Sequence, residues 1–277
     1  MTVAFVLSGG ASLGAGQAGM LEALYQQGVE PDLLVGTSVG AVNAAFIASR
    51  PQSARTAREL QQIWRGLTRG QIFPASPLAA GLGLLGMRDH SVPVGPFRAL
   101  LHRHIEIGLL EDSAIPLHVV AADVLTGEEV LLSEGPAIDA ILASAAIPGV
   151  FPSVSWGSRS LVDGGIVNNT PISHAVELGA DRIIVLPVIT GHRLGRAPRG
   201  AIGAGLAAVS RAIAWRFAQD VERYSDSAEL TILRTPDAED IMPTDFSRAD
   251  ELIADGFSLA RSALTRFAQP LTLAHAA

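Results

Sequence analysis

Two short stretches hold residues able to do acyl-transfer chemistry. Gly36-Thr37-Ser38-Val39-Gly40 places a serine between small residues. The run from Ser8 to Gly19 is rich in glycine and offers backbone N–H groups at a helix start. A serine needs a base to take its proton, and the oxyanion it creates needs preorganised donors. In a G-x-S-x-G elbow the serine sits on a strained strand-to-helix turn that lifts its Oγ clear of the sheet. Ser38 is therefore the candidate nucleophile, with Gly36 and Gly40 leaving room for the turn. The helix that follows points its positive end at the reacting carbonyl. Gly9, Gly10, Ala11 and Ser12 are the candidate oxyanion loop. Gly10 and Ala11 are its main donors, and the Val39 N–H is a further one.

The base is harder to find. The α/β-hydrolase order of serine, acid, then histidine expects the serine deep in a sheet already several strands long. Here it follows only the second strand. None of the seven histidines (His90, His102, His104, His118, His174, His192, His275) stands at a strand end; each reads as a surface or packing residue. Asp163 does end a short strand, and Gly164 and Gly165 leave its carboxylate uncrowded. An ordinary aspartate, with a pKa of about 3.9, is a poor base near neutrality. Burial would raise it. The competing reading of Asp163 is a turn cap, since Asp-Gly pairs are common in turns.

The glycine run has a rival reading too. Gly14-Ala15-Gly16-Gln17-Ala18-Gly19 matches G-x-G-x-x-G after a strand and at a helix start, the dinucleotide fingerprint. That fingerprint expects an acidic residue about 20 positions on. This chain has Gly36-Thr37-Ser38 there, which argues against a nicotinamide or flavin.

The elements that must position these residues follow from hydrophobic pattern and punctuation. Val3–Leu7 and Leu33–Val35 read as buried parallel strands. Helices follow each, through Met20, Leu21 and Leu24 to about Gly28, and over Val39–Ala48 before Pro51. This strand–helix–strand–helix start implies a parallel sheet. Residues 53–65 form an amphipathic helix. From 66 to 96 the periodicity fails amid Gly, Pro and apolar residues, which marks either a lid or acyl-binding wall or an irregular packed excursion. A helix is expected at 96–104, strands at 117–122 and 130–133, and a helix at 136–145. Beyond it come a strand at 160–162, a helix at 171–178 and a strand at 182–188. A polar loop at 189–200 leads to a long helix over 202–221, a strand at 230–233 and a last helix at 248–267. No repeat or linker divides the chain, so residues 1–277 are read as a single domain.

Composition excludes several classes. Net charge is −7, and all 20 basic residues are arginine without a basic run, which argues against nucleic-acid binding. There is no cysteine, hence no thiol nucleophile, zinc–thiolate site or disulfide. The first strand is too short and uncharged for a signal peptide, and no window approaches the ~20 apolar residues of a membrane span. A cytoplasmic protein is expected, with transient contact to a membrane surface left open.

Taken together, the motifs resemble the bacterial patatin-like phospholipases from the first strand to at least Leu186. The resemblance rests on Gly9-Gly10-Ala11-Ser12-Leu13-Gly14, on Gly36–Gly40 and on Asp163-Gly164-Gly165, in that order. It also rests on the block Ala143-Ser144-Ala145-Ala146-Ile147-Pro148-Gly149-Val150-Phe151-Pro152, on Asn169-Thr170-Pro171 and on Leu178-Gly179-Ala180-Asp181. The resemblance implies a three-layer α/β/α fold with a mainly parallel central sheet. It implies a Ser38–Asp163 dyad working without histidine, metal or cofactor, and hydrolysis of acyl esters of lipids or small esters. The family loop commonly reads Gly-Gly-Gly-x-Arg-Gly; here Ala11 and Leu13 replace the third glycine and the basic residue, changes that leave the backbone donors in place. A non-catalytic lipid- or acyl-binding protein on the same scaffold is the alternative. Acyl chain length, head group and oligomeric state are not encoded legibly.

Overall fold

The computed structural model describes residues 1–74, 89–188, 200–236 and 241–268. Its strands are β1 Val3–Leu7, β2 Leu33–Thr37, β3 Leu117–Asp123, β4 Glu129–Leu132, β5 Val154–Trp156, β6 Arg159–Asp163, β7 Arg182–Leu186 and β8 Glu229–Ile232. They make one sheet in which hydrogen-bonded neighbours follow the path β5-β6-β3-β2-β1-β7-β8, with β4 paired to the other edge of β3. The pairs β1–β2, β1–β7, β2–β3 and β7–β8 are parallel, while β4, β5 and β6 run antiparallel to their neighbours.

Side chains alternate between faces along a strand, and β1 shows the consequence. Phe5 and Leu7 enter one hydrophobic cluster, Ala4 and Val6 another. The first face is covered by α1 Ala15–Gln26, α2 Val39–Ala48, α3 Ala54–Gly66, α6 Ala137–Ser144 and α9 Ala249–Ala268. The second is covered by α7 Ile172–Glu177 and α8 Gly200–Tyr224. The three-layer α/β/α architecture follows, with β1 and β2 buried on both faces, as their unbroken apolar runs require. Two short helices, α4 Arg69–Ile72 and α5 Gly95–His104, flank the segment 75–88, which lies outside the described residues together with most of the 189–200 loop. The pattern does not foretell α4, or β5, which pairs with β6 as a hairpin.

The glycines of the fingerprint-like run serve helix packing. A Cβ at Gly19 would lie 2.0 Å from the Ile253 carbonyl oxygen, and one at Gly256 would lie 2.3 Å from that of Gly16. So α1 and α9 approach backbone to backbone, which side chains there would prevent. Gly19→Ala is therefore expected to force the two helices apart and destabilise the protein by at least about 2 kcal/mol. Urea denaturation checks this, and an unchanged midpoint would contradict it.

Candidate active site

β3 brings the two ends of the site together. In a strand, successive N–H groups point to opposite edges. Leu34 N–H donates to the Pro116 carbonyl and Val124 N–H to the Ser160 carbonyl, so β2 and β6 lie on the same edge of β3; Asp123 N–H, pointing the other way, donates to the Glu128 carbonyl beside β4. β2 ends with Thr37 opposite Val120, and β6 ends with Asp163 opposite Ala121. One residue step along β3 thus separates the partners of Thr37 and Asp163. Across that junction Ser38 Oγ donates to Asp163 Oδ2 at 2.7 Å.

Ser38 occupies the turn between β2 and α2 at φ 55°, ψ −124°. A non-glycine residue in that region stores about 1–3 kcal/mol of strain. The flanking glycines make the turn possible. A Cβ at Gly40 would lie 2.1 Å from the Leu7 carbonyl oxygen, and one at Gly36 would lie 2.7 Å from the Ala41 nitrogen. Ser38 and Asp163 are 7% and 6% exposed. Asp163 Oδ1 accepts from Gly165 N–H at 2.7 Å. Burial pushes the Asp163 carboxyl up to about 6, against the opposing pull of the hydrogen bonds from Ser38 and Gly165.

The glycine loop lies beside this pair. Gly9 N–H donates to the Asn169 carbonyl and Ser12 N–H to the Pro243 carbonyl, each at 3.0 Å. The N–H groups of Gly10 and Ala11 have no acceptor among the described residues. Of the four expected donors, two are therefore engaged in holding the loop and two are free for a ligand. Asn169 also donates through Nδ2 to the Gly9 carbonyl at 3.3 Å, tying this loop to the segment after Asp163. Ala11 sits at φ 51°; it and Ser38 are the non-glycine residues with positive φ among those described.

A cavity of about 770 Å³, its open mouth included, begins at Ser38 and Ala11. Val39, Val42, Asn43 and Phe46 of α2 form one wall, with α3 and α5 opposite. Leu67, Ile72 and Phe73 close part of it, so described residues of the 66–96 stretch do line this space. Phe73 stacks on Phe151 at 5.5 Å between centroids, and Phe97 on Phe151 at 5.8 Å. The lining is almost wholly apolar. Asn43 is an exception whose polarity is spent internally, since it donates to the Gly14 carbonyl and Gln17 and accepts from Trp64 Nε1. His104, read from sequence as surface or packing, also lines the cavity. Burial, then Arg103 and Arg50, hold its pKa below the ordinary value. No described histidine is hydrogen-bonded to Ser38 or Asp163. Among the described residues no group of three acidic or histidine side chains could hold a metal ion, and no helix is long and apolar enough to cross a membrane.

The sequence model of the patatin-like phospholipase family matches residues 5–176, more than half of the chain and a span that holds Ser38, Asp163 and the glycine loop. The chain belongs to the patatin-like phospholipase family. It is 28% identical over 189 residues to human patatin-like phospholipase domain-containing protein 6, covering 68% of this chain and 13% of that protein. It is 30% identical over 177 residues to an uncharacterised NTE family protein of Mycobacterium tuberculosis, covering 61% of this chain and 27% of that one. This patatin-like chain thus spans only a small part of the length of those relatives. Among solved structures, ExoU of Pseudomonas aeruginosa in complex with SpcU is similar in fold, with a TM-score of 0.51, 14% identity, and coverage of 98% of this chain and 53% of that one.

Two substitutions probe the patatin-like site through stability. Ala11→Gly removes about 1 kcal/mol of left-handed strain while adding unfolded-state entropy of comparable size. The expected stability change lies between zero and about +1 kcal/mol; a loss of 1 kcal/mol or more would contradict the strain. Asp163 has a raised folded pKa, so the folded state takes up a proton between about pH 4 and 6. Stability is lost as pH rises through that window, and the penalty is complete by pH 7. Asp163→Asn is expected to stabilise the protein at pH 7–8 by on the order of 1–3 kcal/mol, with the gain vanishing near pH 4. Thermal melts across pH check the sign.

Proposed function

We propose that the chain is a serine acyl hydrolase of lipid or small carboxylic esters, working through a Ser38–Asp163 dyad. The observation that carries this reading is the buried 2.7 Å hydrogen bond from Ser38 Oγ to Asp163 at the mouth of an apolar cavity. The family assignment supports it, as does the similarity to the human relative, a phospholipase domain-containing protein.

The mechanism follows from the geometry. Ser38 Oγ attacks the ester carbonyl carbon as its proton passes to Asp163. A carboxylate with a pKa of about 6 is ionised at neutral pH yet basic enough to accept that proton. The carbonyl oxygen gains negative charge and is held by the N–H groups of Gly10 and Ala11, with that of Val39 at the positive end of α2. The tetrahedral intermediate collapses, breaking the bond to the alkoxy oxygen, and Asp163 returns the proton to the leaving alcohol. Water then attacks the acyl-enzyme while Asp163 takes its proton and passes it back to Ser38 Oγ. The products are the alcohol or lysolipid and the carboxylic acid. The acyl chain occupies the cavity lined by α2, α3 and α5.

Purified protein is expected to hydrolyse p-nitrophenyl acyl esters, and Ser38→Ala to lose at least ~10³-fold in kcat. The kcat/KM profile should fall on the acid side with a midpoint near pH 6, as Asp163 protonates. Full turnover by Ser38→Ala would overturn the dyad. Retained ester binding with no turnover by the native protein would favour the lipid-binding alternative.

A further inference from the structure

Ser144 is fully buried at the last position of α6. Its hydroxyl lies where a backbone hydrogen bond is missing. Ladder bonds of a parallel pair recur at every second residue. Leu34 N–H donates to the Pro116 carbonyl, and Leu34 pairs with Leu117 and Thr37 with Val120. Continuing that series by four residues on each strand would put the Ser38 N–H on the Val120 carbonyl. Instead Ser38 N–H donates to Ser144 Oγ at 2.7 Å, and Ser144 Oγ donates to the Val120 carbonyl at 2.6 Å. The hydroxyl is spliced into the ladder at its final rung.

A bond of about 2.9 Å is thereby replaced by two bonds in series. Ser38 is held off the β3 edge where a direct bond would draw it in. Just beyond, the same edge receives β6, with Asp163 opposite Ala121. The turn after α6 grips that side as well, because Asp163 N–H donates to the Ala146 carbonyl at 3.0 Å. One short segment, Ser144 to Ala146, thus holds the backbone of both members of the pair.

We propose that Ser144 is a positioning residue, whose hydroxyl holds the Ser38 backbone away from β3 and so keeps Ser38 Oγ on Asp163. The inference rests on the dyad reading above. Removing the hydroxyl leaves Ser38 N–H free to close on Val120, which draws Oγ from Asp163. Asp163 then loses a hydrogen bond that favours its ionised form, so its protonation moves to higher pH. Ser144 is not among the residues that line the acyl cavity, and the walls that α2, α3 and α5 give it stay in place.

The test uses Ser144→Ala and the near-isosteric Ser144→Cys in the full chain, with a p-nitrophenyl ester as substrate and Ser38→Ala as control. The expected result is a kcat lowered about 10–100-fold in the alanine variant and less in the cysteine variant. KM stays within about twofold, and the acid limb of kcat/KM moves to higher pH in the order native, Cys, Ala. Folded variants with native kcat would overturn the proposal. So would a lowered kcat with an unmoved acid limb, or failure of both variants to fold, since each marks Ser144 as a packing residue only. If Ser38→Ala is inactive while the Ser144 variants behave as native, this inference alone fails. If Ser38→Ala keeps its turnover, the dyad reading fails and takes this inference with it.

Discussion

The hydrogen bond between Ser38 and Asp163 is the constraint on which the rest of the site depends. It joins residues 125 positions apart, within a buried junction where neither partner is freely solvated. The carboxylate's ionised form is disfavoured by burial and partly recovered by two donors, Ser38 Oγ and Gly165 N–H. A site with more donors would hold a weaker base, and a site with none would leave the carboxyl protonated at neutrality. The pair lies between these limits, which is where an acid–base group is useful at pH 7.

Holding that bond requires backbone strain, and the fold supplies the support. Ser38 and Ala11 are in positive-φ conformations. Each is fixed by close packing of small residues: Gly40 against the Leu7 carbonyl, and Gly10 against Val188, whose Cγ1 would lie 2.3 Å from a Cβ there. Beneath the loop, Gln17 Nε2 donates to the carbonyls of Ser8 and Leu186, and Val188 N–H donates to Ser8 Oγ. These buried bonds tie the loop after β1 to β7, so the free N–H groups of Gly10 and Ala11 stand on a rigid base. Preorganised donors of this kind stabilise an oxyanion without reorganising during reaction.

Much of this could be read from the chain. Val3–Leu7, Leu33–Val35 and Ile183–Leu186 are short apolar runs bounded by Gly, Pro or polar residues, and such runs in parallel sheets look the same from sequence as in space. The serine turn and the Asp-Gly-Gly segment are local patterns, so they too were legible. What escaped depends on pairing between distant segments. The step from Val120 to Ala121 that sets Thr37 beside Asp163 leaves no local mark. Ser144 lies in an alanine-rich run and looks interchangeable with its neighbours until its two partners are seen. The half-buried β5 is only three residues long, and its partner defines it. The Gly14–Gly19 run is ambiguous locally because close helix packing and phosphate binding both demand glycine; contact with α9, more than 200 residues later, accounts for Gly16 and Gly19.

Covalent chemistry at one hydroxyl is the central claim, and trapping the intermediate tests it most directly. Protein mixed with excess p-nitrophenyl ester and quenched in acid within the first turnovers would be examined by intact-protein and peptide mass spectrometry. The account predicts a single added acyl mass on the peptide containing Ser38, absent in Ser38→Ala. An acyl group on any other residue, or turnover accompanied by a burst-free time course and no adduct under any quench time, would contradict it.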